Sequence, residues 1–149
     1  MKISEFMTTD VISCNVDKTL KDAADLMLEK NISVLPVVDS DNKLLGILTE
    51  SDFVGKDANI PRAMASIRML FGKTAYRGNI EKIYREVKDH PLDKVMTKDP
   101  VTISADSSLT ALVELMGNRN LKRIPVVKDK KLVGIVTRKD LIKAFSMVK

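Results

Sequence analysis

Two short stretches, Thr49-Glu-Ser-Asp52 and Thr137-Arg-Lys-Asp140, repeat one arrangement of groups that could do chemistry: a hydroxyl, then a carboxylate three residues on. At the start of a helix this spacing makes a capping box, which satisfies amides left without a partner and contributes about 1 kcal/mol. The same geometry suits a ligand. A helix start offers N–H groups and partial positive charge to a phosphate, and a carboxylate beside it can accept both hydroxyls of a ribose. On one copy alone both uses stay open. The surroundings of the two copies differ: Lys122, Arg123, Arg138 and Lys139 stand near the second, Ser33, Val34, Glu50 and Ser51 near the first. A phosphate needs cationic or amide partners once its water is removed, so the Asp140 copy is expected to hold a phosphorylated ligand. A solvated strand edge and helix turn is the plainer account of the same charges.

The elements that position these groups are repeated too. Val34–Asp52 reads VLPVVDSDNKLLGILTESD and Arg123–Asp140 reads RIPVVKDKKLVGIVTRKD. In each, two runs rich in Val, Ile and Leu flank a charged turn and lead into a helix, so each is expected to be a pair of adjoining strands followed by a helix. The strands fall at Val34 to Val38, Lys43 to Leu48, Arg123 to Val127 and Lys131 to Val136, and the helices begin near Glu50 and Arg138. Further out, Met7-Thr8 matches Met96-Thr97, Asp10 matches Asp99 and Asn31 matches Asn120, all 89 positions apart; Gly46 and Gly134 are 88 apart because the second turn is one residue shorter.

Ahead of each strand pair, Leu20, Ala23, Ala24 and Met27, and then Leu109, Leu112, Val113 and Met116, carry the spacing of one helix face. Thr19 with Asp22 forms a plausible capping box, and Asn31 and Asn120 stand where a left-handed cap is needed. Ile3 to Met7 reads as a helical lead-in and Val11-Ile12 as a brief strand. The expected division is a first repeat over 1–54, a helical insert over 55–90 and a second repeat over 91–149. In the insert, Pro61 opens a helix with Met64, Ile67, Leu70 and Phe71 on its apolar face, Gly72 and Gly78-Asn79 turn the chain, and Ile80, Ile83, Tyr84 and Val87 mark a second amphipathic helix.

Composition narrows the function. Of 149 residues, 44% are hydrophobic and 30% charged, an ordinary globular balance, and no run is long and apolar enough for a membrane span. Neither a secretion signal nor a membrane association is expected, and the reducing cytoplasm is the expected compartment. A single cysteine, Cys14, and a single histidine, His90, give no basis for a metal site, a disulfide or a Cys-His pair. Cys14 reads as a small buried hydrophobe and His90 as a linker residue. The net charge of +5 favours anionic partners, while the absence of Trp and an aromatic content of 4% argue against a base-stacking platform. No Walker loop, nucleophile elbow or metal cluster assembles a reaction centre, so no enzyme is expected and no catalytic residue is assigned.

Met-Thr-x-Asp, an amphipathic helix, Pro-Val-Val and Gly-Ile-[Leu/Val]-Thr-x-x-Asp, each present twice, resemble a tandem cystathionine-β-synthase-type (CBS) domain pair, or Bateman module. The resemblance covers roughly residues 1–54 and 90–149. It implies an α+β fold of two β-α-β-β-α repeats packed sheet to sheet with pseudo-twofold symmetry, with the insert lying outside. It also implies an adenosine ligand such as AMP, ADP or ATP in the cleft between the repeats, with no required cofactor. By resemblance the site comprises Thr49, Asp52, Thr137 and Asp140, with Thr8 and Thr97 of Met-Thr-x-Asp, Ser13 and Thr102, and Ile32, Ser33, Lys122 and Arg123 ahead of Pro-Val-Val. Arg138 adds charge to the second copy. The Asp52 copy is expected to be weaker for phosphates or to prefer a neutral adenosine moiety. The implied role is a regulatory sensor, homodimeric, signalling to a separate effector protein. A basic nucleic-acid-binding module and a dimeric scaffold with vestigial clefts are the alternatives.

Overall fold

The computed structural model describes residues 1–53 and 80–149; the helix expected from Pro61 and the turns expected at Gly72 and Gly78-Asn79 lie outside the described residues. The architecture is α+β. A four-stranded sheet has the order β1 (Cys14–Asn15), β2 (Val34–Val38), β3 (Leu44–Thr49), β4 (Thr97–Lys98), and a three-stranded sheet has the order β5 (Ile103–Ser104), β6 (Arg123–Lys128), β7 (Lys131–Thr137). β1 runs parallel to β2, and β5 parallel to β6, in the same register: Cys14 opposite Val37 and Ile103 opposite Val126. The strand expected at Val11-Ile12 therefore lies further on, at Cys14–Asn15, where the alternation puts Cys14 inside.

The helices form for local reasons. α1 (Leu20–Lys30) starts on Thr19, whose side chain accepts from Asp22 N at 3.2 Å while Asp22 accepts from Thr19 N at 3.1 Å. It ends on Asn31 in the left-handed region, φ 51°. α3 (Leu109–Arg119) starts on Ser108, which accepts from Ala111 N, and ends on Asn120 at φ 50°. One expectation fails here. Val113 is half exposed, because the strip that faces the core is the narrower one through Leu112 and Met116. α2 (Ile80–Val87) buries Ile83 and Val87 and leaves Ile80 and Tyr84 at its rim, and α4 (Arg138–Met147) follows β7 directly. The helix expected near Glu50 is a 3-10 turn over Glu50–Phe53 among the described residues.

The chain forms two compact units that cut across the linear order of the repeats. The three-stranded unit takes Met1–Ile12, Asp41–Leu44 and Val101–Lys149; the four-stranded unit takes Ser13–Ser40 and Leu45–Pro100. Each lead-in completes the unit of the other repeat. In the three-stranded unit, Ile3 N donates to Ser107 O, Leu109 N to Met1 O, and Thr8 and Ile135 exchange bonds of 3.0 and 2.9 Å. In the four-stranded unit the equivalent positions do the same: Leu92 N to Lys18 O, Leu20 N to His90 O, and Thr97 opposite Ile47.

The packing explains both glycines of the Gly-Ile motif. A Cβ on Gly134 would stand 2.6 Å from Met7 Sδ and 3.0 Å from Thr8 O, and one on Gly46 would stand 2.6 Å from Met96 Sδ and 2.7 Å from Thr97 O. The Met-Thr segment can lie on the strand only where the strand has no side chain. Ile3 and Phe6 of the lead-in are fully buried and share a core with Ile103, Leu112, Met116, Ile124, Val126 and Val136. Burying these two side chains stabilises the lead-in on the unit by about 1.5–3 kcal/mol for each one withdrawn from water. In the four-stranded unit Leu20, Leu35, Val37, Leu48, Leu92 and Val95 are buried.

Candidate functional site

Asp140 is the third residue of α4 and only 7% exposed, an unusual place for a carboxylate unless it is bonded. Its Oδ2 accepts from Thr137 N at 2.8 Å and from Thr137 Oγ1 at 3.1 Å, and its Oδ1 accepts from Thr8 Oγ1 at 3.1 Å. Three of the expected site residues, Thr8, Thr137 and Asp140, thus meet, and they meet because the lead-in crosses to β7. The capping box suggested by the spacing is present, and it accounts for only one of these three bonds, that from Thr137 N.

Around this group the strand register places charge. Arg123 is directly opposite Thr137 on the β6–β7 ladder, and Lys122 precedes it. Arg138 Nη2 donates to Asn120 Oδ1 at 3.4 Å, which draws the first residue of α4 toward the turn leading to Lys122. Lys122, Arg123, Arg138 and Lys139 are all exposed, and none of them forms an ion pair among the described residues. Cations next to the box in the chain and opposite it on the ladder, with a buried, hydrogen-bonded carboxylate, are the kinds of groups that suit an anion and a diol. Thr102 stands one residue ahead of β5 and makes no side-chain hydrogen bond to this group among the described residues.

The four-stranded unit holds the other copy. Asp52 is 3% exposed and accepts from Thr49 N at 2.7 Å and more weakly from Thr49 Oγ1 at 3.4 Å, while the Thr49 hydroxyl lies 2.7 Å from Ser51 Oγ. Glu50 N donates to Ser33 O, tying the residues ahead of Pro-Val-Val to this turn. Ile32 helps line a concavity of about 290 Å³ with Ala24, Met27, Leu28, Asn31, Glu50 and Phe53. Thr97 lies in β4, and Ser13 stands one residue ahead of β1. Where the second copy has Lys122, Arg123, Arg138 and Lys139, this one has Ser33, Val34, Glu50 and Ser51.

Sequence reasoning missed Lys143, whose Nζ donates to Phe6 O at 3.3 Å and so binds α4 to the lead-in. A lysine six residues into a helix gives no signal of such a tie in the sequence. Among the described residues no group of three or more His, Cys, Asp or Glu could hold a metal ion, and no helix is long and apolar enough to cross a membrane. Cys14 is buried; desolvation pushes its thiol pKa up, the nearby Asp22 adds to the rise and Lys18 opposes it.

With two copies of this strand pair, each closing on a buried Asp bonded to its Thr, the chain matches the CBS domain model over residues 3–59 and 87–147 and belongs to that family as a tandem pair. It is similar to the uncharacterized protein YlbB of Bacillus subtilis, 36% identical over 141 residues, which span 94% of this chain and 79% of that one. Among solved structures it is similar to CBSX2 of Arabidopsis thaliana, solved in complex with AMP: TM-score 0.71, 24% identity, covering 97% of this chain and 96% of the other. It is also similar to the CBS domain pair of MJ0100, solved with 5-methylthioadenosine and S-adenosyl-L-methionine: TM-score 0.66, 24% identity, covering 98% and 96%.

Proposed function

We propose that this CBS pair is a regulatory sensor that binds a phosphorylated adenosine nucleotide, of the AMP, ADP or ATP type, at Asp140 and passes the signal to a partner protein. One observation carries the reading: a buried carboxylate at the start of α4, bonded to two threonines, with exposed Arg138 and Lys139 just before it in the chain and exposed Arg123 opposite Thr137 on the ladder. The carboxylate suits the ribose, and the α4 amides with Lys122, Arg123, Arg138 and Lys139 suit the phosphates. The adenosine compounds bound by CBSX2 and MJ0100 support the ligand class.

Charge orders the ligands. S-adenosylmethionine carries a sulfonium cation, which the four cations repel, so it belongs last at this site. The Asp52 copy has two acidic residues, Glu50 and Asp52, and no cation at the matching positions, so it is the weaker phosphate site and the better one for an uncharged adenosine. The chain acts by binding rather than by turnover, and a second copy of it is the first partner. Ile142 and Phe145, 70% and 81% exposed on α4, supply an apolar face for that association, which sedimentation velocity would measure.

A thermal-shift screen against AMP, ADP, ATP, methylthioadenosine and S-adenosylmethionine tests the reading. The expected result is a rise in Tm with the phosphorylated compounds. No rise with any of them at millimolar concentration would overturn it.

A further inference from the structure

We infer that a ribose entering the Asp140 site displaces Thr8, so that occupancy of the site is reported through the lead-in Met1–Ile12. The inference rests on the nucleotide reading above. Asp140 already accepts three hydrogen bonds, two at Oδ2 from Thr137 and one at Oδ1 from Thr8. An ionised carboxylate has about four acceptor positions, so the two hydroxyls of a ribose cannot both be accepted while all three donors stay. One donor must leave. Thr137 N is fixed in the turn that opens α4, and its hydroxyl belongs to the same residue. Thr8 is exposed, comes from a separate segment, and its hydroxyl swings away by one rotation about χ1. With it gone, Oδ1 is open to the ligand.

The lead-in feels that change. Besides the Thr8 hydroxyl, it is held by Thr8 N to Ile135 O at 3.0 Å, Ile135 N to Thr8 O at 2.9 Å, and Lys143 Nζ to Phe6 O at 3.3 Å. Ile3 and Phe6 stay anchored, fully buried in the core. The segment therefore has one fixed end and one end whose attachment competes with ligand. A partner that prefers the lead-in attached, or detached, thereby senses the nucleotide, since a ligand moves an equilibrium only through its differential affinity for the two states.

The test is calorimetry with AMP on the full chain as wild type, Thr8→Ala and Thr8→Ser, together with amide hydrogen exchange on the wild type with and without AMP. Thr8→Ala is expected to bind AMP roughly three- to tenfold more tightly, the affinity equivalent of one competing hydrogen bond. Thr8→Ser should match the wild type, and AMP should speed exchange at the amides of Thr8 and Ile135. Weaker or unchanged binding by Thr8→Ala, or exchange at those amides that AMP slows or leaves unchanged, overturns the displacement. The exchange measurement needs no variant, so a Thr8→Ala protein that fails to fold leaves the question decided by the wild type. AMP binding that depends on Asp140 and ignores Thr8 removes the displacement alone. AMP that fails to bind the wild type, or binds Asp140→Ala equally well, removes the site and the displacement together.

Discussion

Thr49–Asp52 and Thr137–Asp140 share a backbone plan, and each buries its Asp under its own Thr amide, at 2.7 and 2.8 Å. They differ in their neighbours. Opposite Thr137 the ladder places Arg123, and the equivalent residue ahead of the first box is Val34. The second turn opens a helix of ten residues, and the first opens as a 3-10 turn over Glu50–Phe53, where the described residues of that stretch end. A repeated fold can thus keep one arrangement for stability and vary the charge around it for selectivity. The structural and ligand-binding uses of the box are not rivals, because the amides and carboxylate that close the turn are the groups a nucleotide would meet.

Asp140→Ala against Asp52→Ala breaks the comparison most directly. The first should weaken AMP by about ten- to hundredfold, the cost of losing hydrogen bonds to a charged group, and the second should leave AMP within about twofold. Calorimetry that finds equal losses would show that the two boxes do the same job. Gly46→Ala and Gly134→Ala sharpen it on the stability side. The Cβ at Gly46 meets a backbone oxygen at 2.7 Å, that at Gly134 meets one at 3.0 Å, so the first should destabilise by about 2–3 kcal/mol and the second by about 1 kcal/mol in urea unfolding.

Lys122→Ser with Arg123→Val converts the second site toward the first. AMP should lose about fivefold or more relative to adenosine, and an equal loss for both would show that these cations do not face the phosphate. The smallest effect concerns Cys14, which lies in β1 and has Ile103 as its counterpart in β5. Its folded-state pKa is raised by burial, so it favours the folded state below the unfolded value and that contribution falls away as pH rises toward the folded one. Stability measured by urea unfolding should decline more steeply above about pH 8.5 for the wild type than for Cys14→Ala.

Much of this was legible in the sequence because it is local. The Thr19–Asp22 box, the Asn31 and Asn120 caps and the Pro-Val-Val strands depend on residues within a few positions of one another, and each lies where spacing and residue type place it. The Thr–Asp pairs were legible for the same reason. What the sequence hides is long-range pairing. Ile3 and Phe6 announce burial without saying in which core, and no local preference tells Thr8 to bond with Asp140, 132 residues away. Val113 shows a milder limit: its spacing fits the helix face, and the width of the buried strip is set by what packs on it.

The crossed lead-ins also govern the order of assembly on the ribosome. Ser13–Pro100 emerges with almost all of the four-stranded unit in hand, but Met1–Ile12 must wait for Val101–Lys149, about ninety residues later and on the order of ten seconds at ordinary elongation rates. Throughout that interval the core that buries Ile3 and Phe6 in the folded unit lacks its other residues, Ile103 to Ala144. A slow stretch of translation between Pro100 and Lys149 would lengthen that delay, and a chaperone holding the Met1–Ile12 segment would cover it.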